Sequence, residues 1–258
     1  MKKVIANPQS IDIHSVQSPY YKYRTPYIPK LFEAVCNDLA ISKNTTLIDI
    51  GCGRGEVTNI LANYAGKVYG VDGSQEMISL AMKKENIEYQ VIDINLKNPS
   101  ILNKADHLFF GRSIHWFPAD SLKRLSSRSL IDEGKIVVCS SQWAPIGDWG
   151  SAYFGVRDSY IKKKKKNAQS HDFSGKSNLG EAGFLPLKQF AVEKHIKVDA
   201  DFMVGHTFST TYRDNLANLK KHAVEFAQQM RNSLRVFEED NQIVMKIKSW
   251  AIVYQKNL

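Results

Sequence analysis

The chain has 258 residues, a formal net charge of +9, and apolar and charged fractions of 43% and 24%, values of a globular protein and not of a disordered chain. No apolar run approaches the roughly 20 residues needed to span a bilayer, and Met1-Lys2-Lys3-Val4-Ile5-Ala6 has lysines with no apolar stretch behind them, so a cytoplasmic protein without membrane contact is expected. Cys36, Cys52 and Cys139 are widely spaced and form no C-x-x-C pair, which argues against a disulfide framework or a structural zinc site and predicts three buried thiols.

Residues 1–40 read as an N-terminal cap that contains the tyrosine-rich stretch Tyr20, Tyr21 and Tyr23. From residue 45 to 140, short β-rich runs alternate with helical patterns, the mark of parallel βαβ units. The predicted strands are Thr46–Ile50, Lys67–Val71, Glu88–Ile92, His107–Phe110 and Lys135–Cys139. Val57, Ile60, Leu61 and Tyr64 follow the first strand at i, i+3, i+4, i+7, one apolar helix face. Ser74 is a plausible N-cap for a helix over 74–84 that turns Met77, Leu80 and Ala81 inward.

Past residue 140 the rhythm changes. Residues 141–174 lack periodicity, apart from a short helical pattern near 152–161, and read as an irregular lid. A helix over Gly175–Ala182 and a strand over Phe190–Val198 resume the core. Arg213–Leu234 reads as one amphipathic helix with Leu216, Leu219, Ala223, Phe226, Met230 and Leu234 along a stripe, docked on the mouth of the sheet. Ile243–Tyr254 is a final long strand. The whole is expected to be one domain over 1–258, with 141–174 and 199–234 as insertions that shape an acceptor site. The run Lys162–Lys166 repels itself and reads as a solvated loop; no aromatic residues interleave it, which speaks against nucleic-acid binding.

The most informative segment is Leu47-Ile48-Asp49-Ile50-Gly51-Cys52-Gly53-Arg54-Gly55-Glu56, an apolar strand that enters a G-x-G-x-G turn opening a helix. Glycines there allow a tight turn and close backbone approach to a ligand. Asp72 ends the next strand, 21 residues after Gly51, where a carboxylate can take both ribose hydroxyls. Dinucleotide sites need G-x-G-x-x-G to rest a pyrophosphate on the helix start; here the third glycine comes one residue early and Glu56 stands in its place. Asp49 and Glu56 would repel a pyrophosphate at close range. They suit a ligand that carries an ammonium and a sulfonium but no phosphate, as S-adenosylmethionine (SAM) does. Asp93 ends the following strand, placed to accept an adenine amino group, with Ile94 or a neighbour covering the ring.

On these residues the sequence resembles the class I SAM-dependent methyltransferases, specifically the type 11 group of small-molecule enzymes. Asp49-x-Gly51-Cys52-Gly53-x-Gly55 matches the glycine motif, and Val71-Asp72-Gly73-Ser74-x-x-Met77 looks like the group's second strand. Ile131-Asp132-Glu133-Gly134-Lys135 stands where the group has a turn before its fifth strand, without the usual proline and double glycine. Tyr23-Arg24-Thr25-Pro26-Tyr27-Ile28-Pro29 and Ser113-Ile114-His115-Trp116-Phe117 are similar to segments of enzymes like trans-aconitate methyltransferase.

The resemblance implies a Rossmann-like α/β fold, a mostly parallel seven-stranded sheet whose last strand is antiparallel, with helices on both faces and a lid. It implies SAM as cofactor, S-adenosylhomocysteine (SAH) as product, and a small-molecule acceptor that is anionic or belongs to specialised metabolism. The cofactor-binding set is Tyr21, Arg24, Asp49, Gly51, Cys52, Gly53, Asp72, Gly73, Met77, Asp93, Ile94, Arg112 and Ser113, with no metal. Tyr20, Tyr21 and Tyr23 would close over the sulfonium through their ring faces or simply pack a helix start. His115 is the catalytic candidate, a base for a hydroxyl or ammonium acceptor; the competing reading makes His115 and Trp116 a pocket wall. Trp143, His171, His195 and His206 are acceptor-pocket candidates, each with an ordinary structural role as the alternative. Other chemistries fit the same cofactor site: a lyase or cyclase that consumes SAM itself, a pericyclase using it as a scaffold, an RNA-modifying enzyme using the lysine run, or a non-catalytic SAM-binding protein.

Overall fold

The computed structural model describes residues 18–95, 104–162, 173–211 and 213–257; residues 1–17, Lys163–Lys166 and His171 lie outside the described residues. The strands β1 (Thr46–Ile50), β2 (Lys67–Asp72), β3 (Ile87–Val91), β4 (Ala105–Gly111), β5 (Leu130–Pro145), β6 (Phe184–Val198) and β7 (Ile243–Lys256) form one sheet in the order β3-β2-β1-β4-β5-β7-β6. Strands β1 to β5 run parallel, and β7 is antiparallel to both of its neighbours, β5 and β6. The helices are α1 (Pro29–Asp38), α2 (Glu56–Leu61), α3 (Gln75–Ser79), α4 (Ala119–Ser129), α5 (Trp149–Tyr160), α6 (Lys176–Glu181), α7 (Ala200–Thr210), α8 (Arg213–Lys221) and α9 (Ala223–Arg235).

The sheet is Rossmann-like, and the two-residue period of its strands explains its layers. Ile48, Ile50, Leu108, Phe110 and Val138 face one side and pack on Leu122 and Leu125 of α4 and Leu179 of α6. Leu47, Phe109, Val137 and Cys139 face the other and meet Leu31, Phe32 and Val35 of α1 and Val57 and Leu61 of α2. All three cysteines are buried free thiols. A third cluster, beside the sheet, joins Trp149 and Tyr153 of α5, Met203 and Phe208 of α7, Phe226, Met230 and Leu234 of α9, and Met245 and Ile247 of β7.

The structure departs from the sequence reading in several places. Strand β5 runs on to Pro145, so residues 141–145 are strand and not irregular lid; they pair antiparallel with Met245–Ser249 of β7. Ser141-Gln142-Trp143-Ala144 carries little strand signal, and the partner strand overrides it. The expected turn over 131–134 is instead a bulge between the pairs Ala105↔Leu130 and His107↔Lys135. The single helix expected over 213–234 is two, α8 and α9, divided at His222 (φ −111°). Its stripe is buried against α5 and α7, not laid over the mouth of the sheet. Helices α2 and α3 are also shorter than their apolar patterns suggested.

One buried polar relay ties the N-terminal segment to the sheet. The Ile28 amide donates to Ser249 Oγ (2.9 Å), Ser249 and Ser141 hydroxyls lie 3.0 Å apart, and Ser141 donates to the Pro26 carbonyl (2.7 Å). Each hydroxyl donates once and accepts once, so every member is satisfied. Ser249→Ala should leave the buried Ile28 N–H without its acceptor and lower stability by about 1–3 kcal/mol. Urea denaturation checks this; a loss within the noise of the method would mean that the backbone relaxes to another acceptor.

Candidate cofactor and active site

The chain adds strands outward from β1 to β3 and then returns to place β4 on the other side of β1. At such a reversal the connections leave β1 and β4 in opposite directions and open a crevice at the strand ends. A cleft with an empty volume of about 850 Å³, counted out to solvent, lies there. Tyr21, Gly51, Gly53, Val71, Asp72, Gly73, Ser74, Met77, Ile92, Asp93, Ile94, Asn95, Gly111, Arg112, Ser113, Trp116 and Phe117 line it.

The glycine loop is held at this crevice by its neighbours. Gly51, Gly53 and Gly55 all have left-handed φ, +66°, +57° and +80°. Gly51 faces a second constraint: a Cβ there would lie 2.6 Å from Ser113 Cβ, so no other residue fits. Ser113 in turn donates from its hydroxyl to the Ile50 carbonyl (2.5 Å), joining the loops that follow β1 and β4. The Gly51 and Cys52 amides both donate to the Val71 carbonyl. Asp72 accepts from the amides of Gly53 (2.8 Å) and Ser74 (2.9 Å), one to each oxygen. A carboxylate oxygen has a second lone pair, so Asp72 is fixed in place and can still accept from a ligand. Ser74 then caps α3 by accepting from the Met77 amide, and Asp93 accepts from the Asn95 amide (3.0 Å).

Asp49, Glu56 and Arg112 lie close enough to interact electrostatically, and of the three only Arg112 is on the cleft lining. Asp49 is 1% exposed; one oxygen accepts from Thr58 (2.6 Å), and the other has no hydrogen-bond partner among the described residues. Burial, opposed by the Thr58 hydrogen bonds, pushes its carboxyl up to about 7. Burial also raises Glu56, which Arg112, Arg54 and Arg24 partly counter. Arg112 has φ +57°, a strained conformation for a side-chain-bearing residue. Its amide donates to Cys139 (2.9 Å), and its guanidinium donates to Thr25 (2.8 Å) and lies 4.6 Å from the centre of the Tyr27 ring. These contacts hold a strained residue so that it reaches the cleft wall.

Residues 48–138 match the methyltransferase-domain family. The cofactor that goes with this domain is SAM. A Dictyostelium discoideum protein named as a methyltransferase is 30% identical over 54% of this chain and 53% of its own length, so the chain spans about half of that relative. Among solved structures, a protein from Anaeromyxobacter dehalogenans described as a type II methyltransferase shares the fold with a TM-score of 0.63 at 16% identity, over 91% of this chain and 98% of that one. The [4+2]-cyclase SpnF also shares it, with a TM-score of 0.54 at 13% identity, over 97% and 96%.

The residues present fit SAM. Asp72 would take the ribose hydroxyls and Asp93 the adenine amino group, with Ile94 against the ring. The unpartnered oxygen of Asp49 marks a buried carboxylate that a cationic ligand would relieve. Of the cofactor-binding set read from sequence, Tyr21, Gly51, Gly53, Asp72, Gly73, Met77, Asp93, Ile94, Arg112 and Ser113 line the cleft; Arg24, Asp49 and Cys52 do not. Arg24 lies over the Tyr21 ring, 5.0 Å from its centre. Cys52 is buried beneath the loop, its thiol raised by desolvation. His115 is also off the lining, its ring 4.9 Å from those of both Trp116 and Phe173. His195 is exposed on β6, while Trp143 and His206 bond to each other within the third cluster. Trp116 lines the cleft, as the pocket-wall reading had it, while His115 does not. Sequence reasoning did not assign Val71, Ser74, Ile92, Asn95, Gly111 and Phe117 to the cofactor; most adjoin a residue that it did assign, and adjacency to a strand end was the available signal.

Asp49 predicts a pH effect. Its folded-state value, about 7 against the usual 3.8, means that the native state holds this proton more tightly than the unfolded chain. Its contribution to stability is therefore complete below about pH 4 and is lost as pH rises to about 7 and above, by about 4 kcal/mol at most. Without ligand, Asp49→Asn should gain stability over the wild type between pH 5 and pH 8. Denaturant titrations at the two pH values check this; a constant difference would mean that Asp49 is ionised throughout.

Proposed function

We propose that the protein is a SAM-dependent methyltransferase whose acceptor is a small anionic molecule. The observation that carries the first half is the convergence of the glycine loop, Asp72 and Asp93 on one cleft at the strand-order reversal. Bound there, SAM supplies an electrophilic methyl group. The chain's own residues then bind and orient: Asp72 and Asp93 fix the adenosyl end, and the loop glycines let the backbone come close. Positioning of this kind supplies much of the acceleration of an in-line displacement.

Two features support an anionic acceptor. Arg112 reaches the cleft wall with its guanidinium already oriented by Thr25 and Tyr27. His115, the candidate base, lies against Trp116 and Phe173 and off the cleft lining. A carboxylate accepts a methyl group without losing a proton, so it needs no base. On this reading His115 braces the wall formed by Trp116.

The fold is shared with a cyclase and does not fix the reaction, so product identity is the test. Mass spectrometry of the protein with SAM, alone and with a small-molecule fraction of cell extract, should show SAH only when extract is present. Methylthioadenosine formed without any acceptor would instead mean that SAM itself is the substrate. Asp72→Ala should weaken SAM binding by about 1–3 kcal/mol through lost charge-assisted hydrogen bonds. Unchanged affinity in a folded variant would remove Asp72 from the ribose.

A further inference from the structure

Tyr21 lines the cleft, and its ring lies 3.6 Å from where a Cβ on Gly53 would be. The segment that carries it, the 3-10 turn Ser18–Tyr23, is anchored elsewhere, on α7. Tyr20 stacks on Phe208 with ring centres 4.6 Å apart and planes within 16°, and Tyr23 meets Phe202 edge-on at 6.1 Å. Gly205 lies between these contacts: a Cβ there would come within 2.2 Å of the Tyr23 ring. Glycine in a helix interior costs about 1 kcal/mol relative to alanine, and here its absence of a side chain makes room for that ring.

The polar centre of this contact is His206, 6% exposed. Its Nε2 lies 2.8 Å from the indole Nε1 of Trp143, and its Nδ1 lies 2.9 Å from the Tyr23 carbonyl oxygen. An indole N–H can only donate, so Nε2 accepts and the ring proton sits on Nδ1, which donates to Tyr23. The geometry thus determines the tautomer. Burial pushes the imidazole down to about 4, so the ring stays neutral at ordinary pH, as this arrangement needs. Trp143 is itself fixed by stacking on Trp149, 5.5 Å between centres and 7° between planes. Neither Trp143 nor any residue of α7 lines the cleft.

We propose that His206 is a positioning residue of the cofactor site: by donating from Nδ1 to the Tyr23 carbonyl it holds the turn Ser18–Tyr23 on α7 and so sets Tyr21 against the glycine loop. The proposal rests on the reading of the cleft as a SAM site. It gives the third cluster, on the far side of the N-terminal turn, a direct influence on how tightly the cofactor is held.

The test measures SAH affinity by titration calorimetry on the full chain, together with hydrogen exchange of residues 18–25. His206→Phe keeps the ring's bulk and removes the donor, whereas His206→Asn keeps a donor near the Nδ1 position. Loss of one buried hydrogen bond predicts SAH binding about tenfold weaker for His206→Phe, with faster exchange at 18–25. His206→Asn should stay within about threefold of wild type. Gly205→Ala, which pushes on the Tyr23 ring and leaves the imidazole in place, should weaken SAH binding in the same way and serves if His206→Phe does not fold. A folded His206→Phe or Gly205→Ala with wild-type SAH affinity overturns the proposal, as does equal weakening by the Phe and Asn variants. A wild-type protein that binds no SAH overturns the cofactor reading itself, a separate result.

Discussion

The close approach of Gly51 to Ser113 is the constraint on which the rest of the site depends. Strands β1 and β4 are hydrogen-bonded neighbours although they are far apart in sequence, and the loops that leave them must pass at a distance that admits no Cβ on Gly51. Because the Ser113 hydroxyl also bonds the Ile50 carbonyl, both loops are fixed to one another before any ligand arrives. The Val71 carbonyl and the Asp72 carboxylate then draw the loop toward β2. Pre-organisation of this sort lowers the ordering cost of binding, and every residue involved sits at the C-terminal end of a central strand.

That rigidity is set against an unfavourable charge distribution. Asp49 is buried with one oxygen unpartnered among the described residues, Glu56 is raised by burial beside three arginines, and Arg112 is held in a left-handed conformation. None of these helps the empty fold; buried acids and strained residues cost stability. Such groups gather where a charged ligand is to be met, and here they adjoin the cleft, with Arg112 on its lining and Asp49 and Glu56 off it. The apolar layers on both faces of the sheet supply the stability that offsets them.

The C-terminal half does different work. The described residues of 199–234 form helices that pack on α5 and on β7, and none of them is among the residues that line the cofactor cleft. Their contact with the N-terminal turn, through Phe202, Gly205, His206 and Phe208, is where this half meets the cofactor end.

The sequence by itself determined the central strands, the glycine loop, and the acids at three successive strand ends. Each of these is written in local terms: a nearly continuous apolar run before the glycine loop, as a strand buried on both faces requires, left-handed positions that only glycine fills comfortably, and carboxylates at fixed distances after it. Tertiary structure decided what depends on a distant partner. Ser141–Pro145 became strand because β7 offered an antiparallel ladder, although the segment's own residues do not favour it. His115 has a fitting residue type for a base, but its direction follows from Trp116 and Phe173, and the latter is nearly 60 residues away in sequence. His206 was read from the sequence only as an acceptor-pocket candidate, and nothing in the sequence pointed to its contact with Tyr23. Its tautomer and its hold on Tyr23 exist only because folding brings an indole donor and a backbone carbonyl to opposite sides of one imidazole, and no local pattern can record a meeting of three segments.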